Sequence, residues 1–392
     1  MKDAVIVAAG RSAIGKAPNG SLRLTRPEDV AAQVLRGVLS KIPALGAAEI
    51  EDVIIGCAFP EAEQGSNMGK IIAAKAMPGA DVPGMTLNRY CSSGLQSIAV
   101  AANAVMAGQA VALVAGGVES MSTIPMGGNM SYPNPSLIAS NPDAYMSMGI
   151  TAENVAGEYS ISRAAQDAFA LESHRRAATA QASGKFAEEI IPVDAAYVGP
   201  CEKGFPEIKT KPFDRDEGIR TDSSIEGLAK LRSVFKAGGT VTAGNASQTS
   251  DGAAMVVVMS GEKAAALGLA PLAKILSFAV VAVPSRIMGI GPVKAIPKAL
   301  GLAGLTIGDM DLIELNEAFA SQALACIGAL GLDTEKVNVN GGAVAMGHPL
   351  GCTGSLLTTK LIYEMGRRDA KYGLVSMCIG GGMGAAAVFE RP

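Results

Sequence analysis

Short apolar runs alternate along the chain with longer stretches whose apolar residues recur every three or four positions. "AVIVAAG" (4–10), "DVIIGCA" (52–58), "GMTLNRY" (84–90) and "AVALVAGG" (110–117) are brief, and Gly or polar residues bound them. That pattern predicts strands. "RPEDVAAQVLRGVLSKI" (26–42) has the period of an amphipathic helix. After Cys91, the residues Leu95, Ile98, Ala102, Val105 and Met106 fall at helical spacing, and Gly108 ends that helix. Strand and helix in alternation predict an α/β fold with substantial parallel pairing.

The second half repeats the order. "DLIEL" (311–315) is followed by "NEAFASQALACIGALG" (316–331), then "KVNVNGGAVAMGHPLGCTGSLLTTKLIYEM" (336–365) and "YGLVSMCIGGGMGAAAVFE" (372–390). Strand, Cys91 loop, helix and "ALVAGG" correspond to strand, His348 loop, helix and "LVSMCIGGG". This predicts a duplicated unit whose two loops meet at one site. The middle stretch, from about Met121 to Asn245, is richer in Pro, Asn and charge, and reads as a loop domain inserted in the first half. "SQTSDGAAMVVVMS" (247–260) returns to the first sheet. The expected division is residues 1–120 with 246–270, the loop domain 121–245, and a second half 271–392.

Composition narrows the function. The chain has 392 residues, 49% hydrophobic and 18% charged, enough for two or three domains around a large core. A net charge of −3 argues against a nucleic-acid binder, which needs a clustered basic surplus. The 47 glycines follow no G-X-Y period and point to tight turns and close backbone approaches. Cysteines at 57, 91, 201, 326, 352 and 378 form no C-x-x-C pair. That spacing predicts free thiols in a reducing, cytoplasmic setting, with no metal site and no disulfide scaffold. The apolar part of "MKDAVIVAAGR" is too short for a signal segment and reads as a first strand, and "FERP" is not an S-K-L tag. Cys91 to Val118 carries no charge and is long enough to cross a bilayer. Its early Ser, Gln and Asn residues, with Gly108-Gln109 and Gly116-Gly117, favour helix, turn and buried strand, so no membrane insertion is expected.

Four places carry candidate chemistry. Cys91 stands where a strand gives way to a helix. The positive end of the helix dipole there favours thiolate below the usual value of about 8.5. A small buried core cysteine is the competing reading. Only two histidines exist. His174, in "ALESHRRAATAQ", reads as a solvated helix residue, which leaves His348 as the natural base for Cys91. Gly341, Gly342, Gly347, Gly351 and Gly354 crowd the His348 loop and imply backbone that something approaches closely. Cys378 precedes Gly380, Gly381 and Gly382, whose N–H groups can converge on an oxyanion, and offers a second acid or base. Asn316 and Glu317 join a strand to a helix. Asn316 is either a helix N-cap or an amide that holds a water or a substrate carbonyl.

Together "NRYCSSGLQS", "GGVESMS", "MGITAENVA", "TAGNASQTSDGAA", "NEAFA", "GGAVAMGHPLGCTG" and "CIGGGMGAA" resemble the thiolase family over essentially the whole chain. The resemblance implies a five-layered α-β-α-β-α fold from two duplicated halves with an inserted loop domain. It implies Cys91 as the acylated nucleophile, His348 as its activator and Cys378 as the acid/base at the substrate α-carbon. Asn316 would hold a water that forms one oxyanion hole with His348. The N–H groups of Cys91 and Gly380 would form the other. Arg220 and Ser247 match positions near the nucleotide and pantetheine arm of coenzyme A. Met148 and Phe319 would line its channel. Coenzyme A is then a substrate, with no tightly bound cofactor. The family implies CoA thioesters as ligands, a homodimer or a homotetramer built as a dimer of dimers, and a β-oxidation hydratase/dehydrogenase as a candidate partner. "MGGNMSYPNPS" matches the region of tetramer contacts.

Short-chain members usually carry His-Met-Gly before "TAEN", where this chain has Ser147-Met148-Gly149. That departure favours thiolysis of 3-ketoacyl-CoA over the biosynthetic acetoacetyl-CoA reaction. Cys352 reads as a packing residue. A ketosynthase with a Cys-His-His site needs a second active-site imidazole, which His174 does not supply. "GGGMGAA" lies too near the C-terminus for a dinucleotide fold. A non-catalytic lipid carrier on the same fold predicts loss of Cys91, His348 or Cys378, and all three are present.

Overall fold

A computed structural model describes residues 2–130, 132–200 and 206–392; Cys201, and Ser131 of the "MGGNMSYPNPS" segment, lie outside the described residues. Twelve strands are described: β1 (Ala4–Arg11), β2 (Gly15–Lys16), β3 (Val53–Gly56), β4 (Gly84–Leu87), β5 (Ala112–Ser120), β6 (Val193–Pro200), β7 (Pro206–Phe213), β8 (Ser250–Ser260), β9 (Ala273–Ala282), β10 (Leu312–Leu315), β11 (Tyr372–Ile379) and β12 (Met383–Glu390). Ten form one sheet in the order β10-β11-β12-β9-β1-β8-β5-β3-β4, with β2 beside β8, while β6 and β7 make a separate hairpin.

Both halves follow one plan. β3 runs parallel to β5, β5 antiparallel to β8, and β8 antiparallel to β1. β10 runs parallel to β11, β11 antiparallel to β12, and β12 antiparallel to β9. The place of β4 beside β3 is taken in the second half by a single parallel bridge, Ile313 to Val337. The halves meet edge to edge at only two pairs, Val5–Lys274 and Ile6–Ala273. The sheet is more antiparallel than the alternation predicts. The last strand of each half, β8 or β12, runs antiparallel and lies between the half's first strand and a parallel one, and β12 follows β11 without a crossover helix.

β1, β3, β5, β8, β10, β11 and β12 are buried on both faces along nearly all their length, which is why they read as unbroken apolar runs. Along β1, Val5 and Val7 face one cluster while Ala4 and Ile6 face another, the period of a strand. On the inner side, Ser93–Met106 and Thr353–Arg368 lie between the two half-sheets. There Leu95, Ile98, Leu357 and Leu361 pack with Ile54 and Val256 of the first half and Val375 and Phe389 of the second. Pro27–Ser40 and Met68–Ala76 cover the outer face of the first half through Val34, Leu35 and Ile72. Gly291–Ala303 and Ala320–Leu330 cover the second through Ile296, Leu300 and Cys326. The result is five layers, α-β-α-β-α. Between β5 and β8 come the helices Met148–Glu158 and Arg163–Ala182 and the β6–β7 hairpin. Among the described residues no helix is long and apolar enough to cross a membrane.

Candidate active site

The parallel strands β3, β4, β10 and β11 lead at their C-terminal ends into the loops that carry the predicted chemistry, the usual ligand position in α/β sheets. Cys91 sits in a single 3-10 turn, Tyr90–Ser92, between β4 and the helix Ser93–Met106. Tyr90 holds φ at +44°, a left-handed conformation costly for an aromatic residue. The thiol is 8% exposed and packs with Ala58, Met121 and Leu350, the last only two residues beyond His348. The backbone N–H groups of Gly380 and of Cys91 itself lie near enough to the sulfur to favour its thiolate. Burial nevertheless outweighs them and pushes the pKa up to about 11. The thiolate expected from the helix terminus is therefore not the resting form; desolvation overrides the dipole.

His348 lies on the loop that enters Thr353–Arg368 and is 5% exposed. Its backbone N–H is held by Gln248 O at 3.1 Å and Ser250 Oγ at 3.2 Å. Nδ1 is 2.6 Å from Thr353 Oγ1, and the Thr353 hydroxyl donates its only proton to Pro349 O at 3.0 Å. With that proton on Pro349 O, Thr353 accepts from Nδ1–H and the lone pair is left on Nε2, the assignment in which Asn316 Nδ2 also finds an acceptor. Nε2 stands 3.4 Å from Asn316 Nδ2, the donor that suits it. Burial lowers the pKa to about 4, so the ring is a neutral base at ordinary pH.

Asn316 is not a helix N-cap. The helix starts at Ala320 with Phe319 at the cap position, and Asn316 instead continues β10, its N–H bonded to Ser376 O at 2.9 Å. Its Oδ1 is buried and has no hydrogen-bond partner among the described residues, which leaves an acceptor free for a ligand or water. Cys378 is fully buried near the end of β11. Burial raises its pKa well above the ordinary thiol value, and the charges of Cys91 and Cys326 raise it further. The two sulfurs thus lie within electrostatic reach of each other. Cys378 shares an apolar cluster with Met148, Phe319, Met288 and Val241, and Phe319 meets Phe235 edge to face at 6.2 Å. Met148 also borders Gly380: a Cβ there would stand 3.6 Å from its Sδ and 3.8 Å from Tyr90 Cδ2. Cys91, Cys378, Gly380, Met148 and Phe319 are therefore contiguous. His348 and Asn316 form their own pair, brought to the same place by Leu350 and by the Asn316–Ser376 contact. Among the described residues no hydrogen bond joins His348 to Cys91.

Ser247 borders the apolar cluster of Cys378. The N–H of Ser247 bonds Ala318 O at 3.0 Å, next to Phe319. Arg220 lines a cleft of about 270 Å³ with Leu228, Gly244 and Gln248. His174 lines it too, which corrects the solvated reading: the ring is 4% exposed. The neighbouring Arg175 and Arg176 instead pair with Glu172 on the same helix. Cys352 is buried among Ile14, Ala254 and Leu356, as a packing residue should be.

Two positioning residues escaped the sequence reading. Thr353 sets the His348 tautomer. Glu119 ties the halves together: Oε2 accepts Ala58 N and Gly351 N, both at 2.8 Å, and Oε1 accepts Gln64 Nε2 at 2.7 Å. A carboxylate directly after the apolar run "ALVAGGV" was the available signal for Glu119. Thr353 left none. Among the described residues no group of three His, Cys, Asp or Glu side chains could hold a metal ion.

Comparison with known proteins covers the whole chain. A profile of "Thiolase, N-terminal domain" matches residues 4–262, and one of "Thiolase, C-terminal domain" matches 269–391. The 3-ketoacyl-CoA thiolase of Bacillus subtilis (strain 168) is 56% identical over 390 residues, covering 100% of both chains. The peroxisomal 3-ketoacyl-CoA thiolase 1 of Arabidopsis thaliana is 47% identical, over 99% of this chain and 88% of its own. The acetyl-CoA acetyltransferase of Chromobacterium violaceum is 46% identical with full coverage of both. Among solved structures, the Bacillus anthracis acetyl-CoA acetyltransferase superposes with a TM-score of 0.90 at 39% identity, over 100% of this chain and 99% of that one. Matched in both halves and aligned end to end with such relatives, the chain belongs to the thiolase family.

Proposed function

We propose that the protein cleaves 3-ketoacyl-CoA with free coenzyme A, giving acetyl-CoA and a shortened acyl-CoA through an acyl-Cys91 intermediate. The names of the Bacillus and Arabidopsis relatives support the substrate class. The observation that carries the chemistry is the placement of two buried thiols within reach of each other, one of them beside the Gly380 N–H.

Neutral His348 takes the Cys91 proton at Nε2 as the sulfur attacks the 3-keto carbon, so no free thiolate is required beforehand. The N–H groups of Cys91 and Gly380 stabilise the alkoxide that forms. The C2–C3 bond breaks and its electron pair moves to C2, giving an acetyl-CoA enolate. Protonated His348, with Asn316 and its water, faces that oxygen. The Cys378 S–H gives its proton to C2, and the proton on His348 restores Cys378. Coenzyme A then loses its thiol proton to His348 and attacks the acyl group, and Cys91 leaves with that proton. All steps reverse, so the same residues perform the condensation.

The segment 121–245 acts as the loop domain for coenzyme A in this reading. Arg220 and Ser247 lie along the nucleotide and pantetheine arm, with Met148 and Phe319 toward the sulfurs. Coenzyme A is substrate and not resident cofactor. The exposed Met126, Met130 and Tyr132, the last 82% exposed, support a tetramer contact within "MGGNMSYPNPS". A reducing cytoplasm would keep Cys91 and Cys378 as the free thiols they are here.

The acetyltransferase names of two relatives favour a second reading, the acetoacetyl-CoA reaction. Ser147 directly before the helix Met148–Glu158 speaks against it. A panel of 3-ketoacyl-CoA chain lengths separates the two, with the mass of the trapped protein measured intact. Turnover of chains longer than acetoacetyl supports the first reading, and turnover of acetoacetyl-CoA alone the second. A protein that never gains an acyl mass, or gains it equally after Cys91→Ala, refutes both.

A further inference from the structure

The helix Arg163–Ala182 carries His174 against the segment that holds Arg220. Nδ1 of His174 accepts the backbone N–H of Arg220 at 3.1 Å. A ring nitrogen that accepts a hydrogen bond has no proton, so the neutral ring bears its proton on Nε2. Burial, with the Arg220 charge adding to it, lowers the pKa to about 4 and keeps the ring neutral. Nε2 has no hydrogen-bond partner among the described residues, although the ring lines the 270 Å³ cleft. The guanidinium of Arg220, near enough to shift this imidazole, also makes no hydrogen bond or ion pair to any described residue. One neutral donor and one charged donor thus stand unpaired at the same cleft. Its apolar walls, Leu228, Leu231 and Val344, suit a flat ring. Arg220 is exposed, but His174 is 4% exposed, and a side-chain donor buried that far is rarely left unpaired unless a ligand or water supplies the acceptor.

We propose that the Nε2–H of His174 is a binding donor for the nucleotide end of coenzyme A, acting beside the Arg220 guanidinium. The proposal rests on the coenzyme A reading above and adds a residue to it. Both the 3′-phosphate and the adenosine offer hydrogen-bond acceptors, and the thiol and pantetheine end does not reach this far by the same reading. His174 contacts ligand and takes no part in bond making.

The test compares coenzyme A, dephospho-coenzyme A and pantetheine as acyl acceptors. His174→Ala should lower kcat/KM for coenzyme A relative to pantetheine by roughly three- to tenfold, the worth of one neutral hydrogen bond. The loss should lie in KM and not in kcat. His174→Gln offers both an acceptor for Arg220 N and an N–H donor, and should restore part of the ratio. A loss confined to coenzyme A assigns the 3′-phosphate; a loss shared with dephospho-coenzyme A assigns the adenosine. Either carries the proposal. An equal loss with pantetheine, or none with coenzyme A, overturns it.

A measurement on the unaltered protein guards against variants that fail to fold. The chain has two histidines, and they hold opposite tautomers. In protein labelled with 15N-histidine the Nε2–H resonance therefore belongs to His174 and the Nδ1–H resonance to His348. Coenzyme A should shift the Nε2–H signal and pantetheine should not; the reverse overturns the proposal. Coenzyme A that binds and shifts the signal, in a protein that shows no thiolysis, would sink the proposed reaction and leave this inference standing.

Discussion

The hydroxyl of Thr353 decides which nitrogen of His348 is free to act as base. It has one proton, and Pro349 O at 3.0 Å can only accept it. With the proton placed there, Nδ1, 2.6 Å away, donates, which matches the Asn316 Nδ2 donor facing Nε2. Thr353→Val keeps the shape and removes both bonds. The base-ready tautomer is left with a buried, unpaired Nδ1–H, a penalty of about 1–3 kcal/mol. The other tautomer pays differently, because its Nε2–H would face the Asn316 Nδ2 donor at 3.4 Å. Either way the fraction of protein with a lone pair toward the site falls. At ~1.4 kcal/mol per factor of ten, Cys91 acylation should slow roughly tenfold to a hundredfold.

Single-turnover acylation of Cys91 is the appropriate assay, since it isolates the step that needs the base. Thr353→Ser keeps a hydroxyl and should recover most of the rate, whereas a merely volumetric role would favour Val over Ser. The 15N spectrum of the imidazole supplies an independent readout: the proton should sit on Nδ1 in the parent protein and be redistributed in Thr353→Val. Acylation at the parent rate in Thr353→Val, or a parent protein with its proton on Nε2 of His348, would refute the reasoning.

Two more perturbations follow from the same geometry. With the Cys91 pKa pushed up to about 11 by burial, its alkylation by iodoacetamide should climb about tenfold per pH unit through pH 9 and beyond, because the thiolate fraction is still rising. A plateau near pH 8.5 would mean that the helix dipole wins after all. The glycines after Cys378 should differ sharply. A Cβ on Gly380 meets only ordinary contacts, whereas Gly382 has φ at +88° and its Cβ would lie 2.4 Å from Val283 O. Urea unfolding should show Gly382→Ala destabilised by at least about 1–2 kcal/mol and Gly380→Ala near the parent. Equal stabilities would contradict the turn geometry.

Strands, central helices and the duplicated order were legible because double burial writes itself as apolar runs and period 3.6. The direction of β8 and β12 was not. Antiparallel return leaves the same apolar run as a parallel crossover, and only the missing helix between β11 and β12 hinted at it. His174 was misread from its neighbours. Arg175 and Arg176 are charged because they face Glu172, while the helix turns His174 inward to meet the Arg220 backbone. That partner lies 46 positions away, where no local pattern reaches it. Asn316 stood open between two readings on local pattern alone: Asn before a helix usually caps it, but here three more residues intervene before Ala320.

The glycines of the His348 loop teach a different lesson. Their crowding implied close approach by something, and a ligand was the natural candidate. In the fold, much of that approach is made by the other half of the chain. A Cβ on Gly117 would stand 2.1 Å from Gly351 O, and one on Gly354 would stand 2.1 Å from Leu95 N. Peptide planes of the Cys91 half and the His348 half therefore touch directly, and Glu119 bridges them a few ångströms away through Ala58 N and Gly351 N. Backbone in contact with backbone has almost no rotamer freedom to lose or drift into. The two helix starts that carry the nucleophile and the base are thus registered by main chain, and long side chains are not needed to hold them. The bare loop is the means by which two halves, each with part of the chemistry, can share one site.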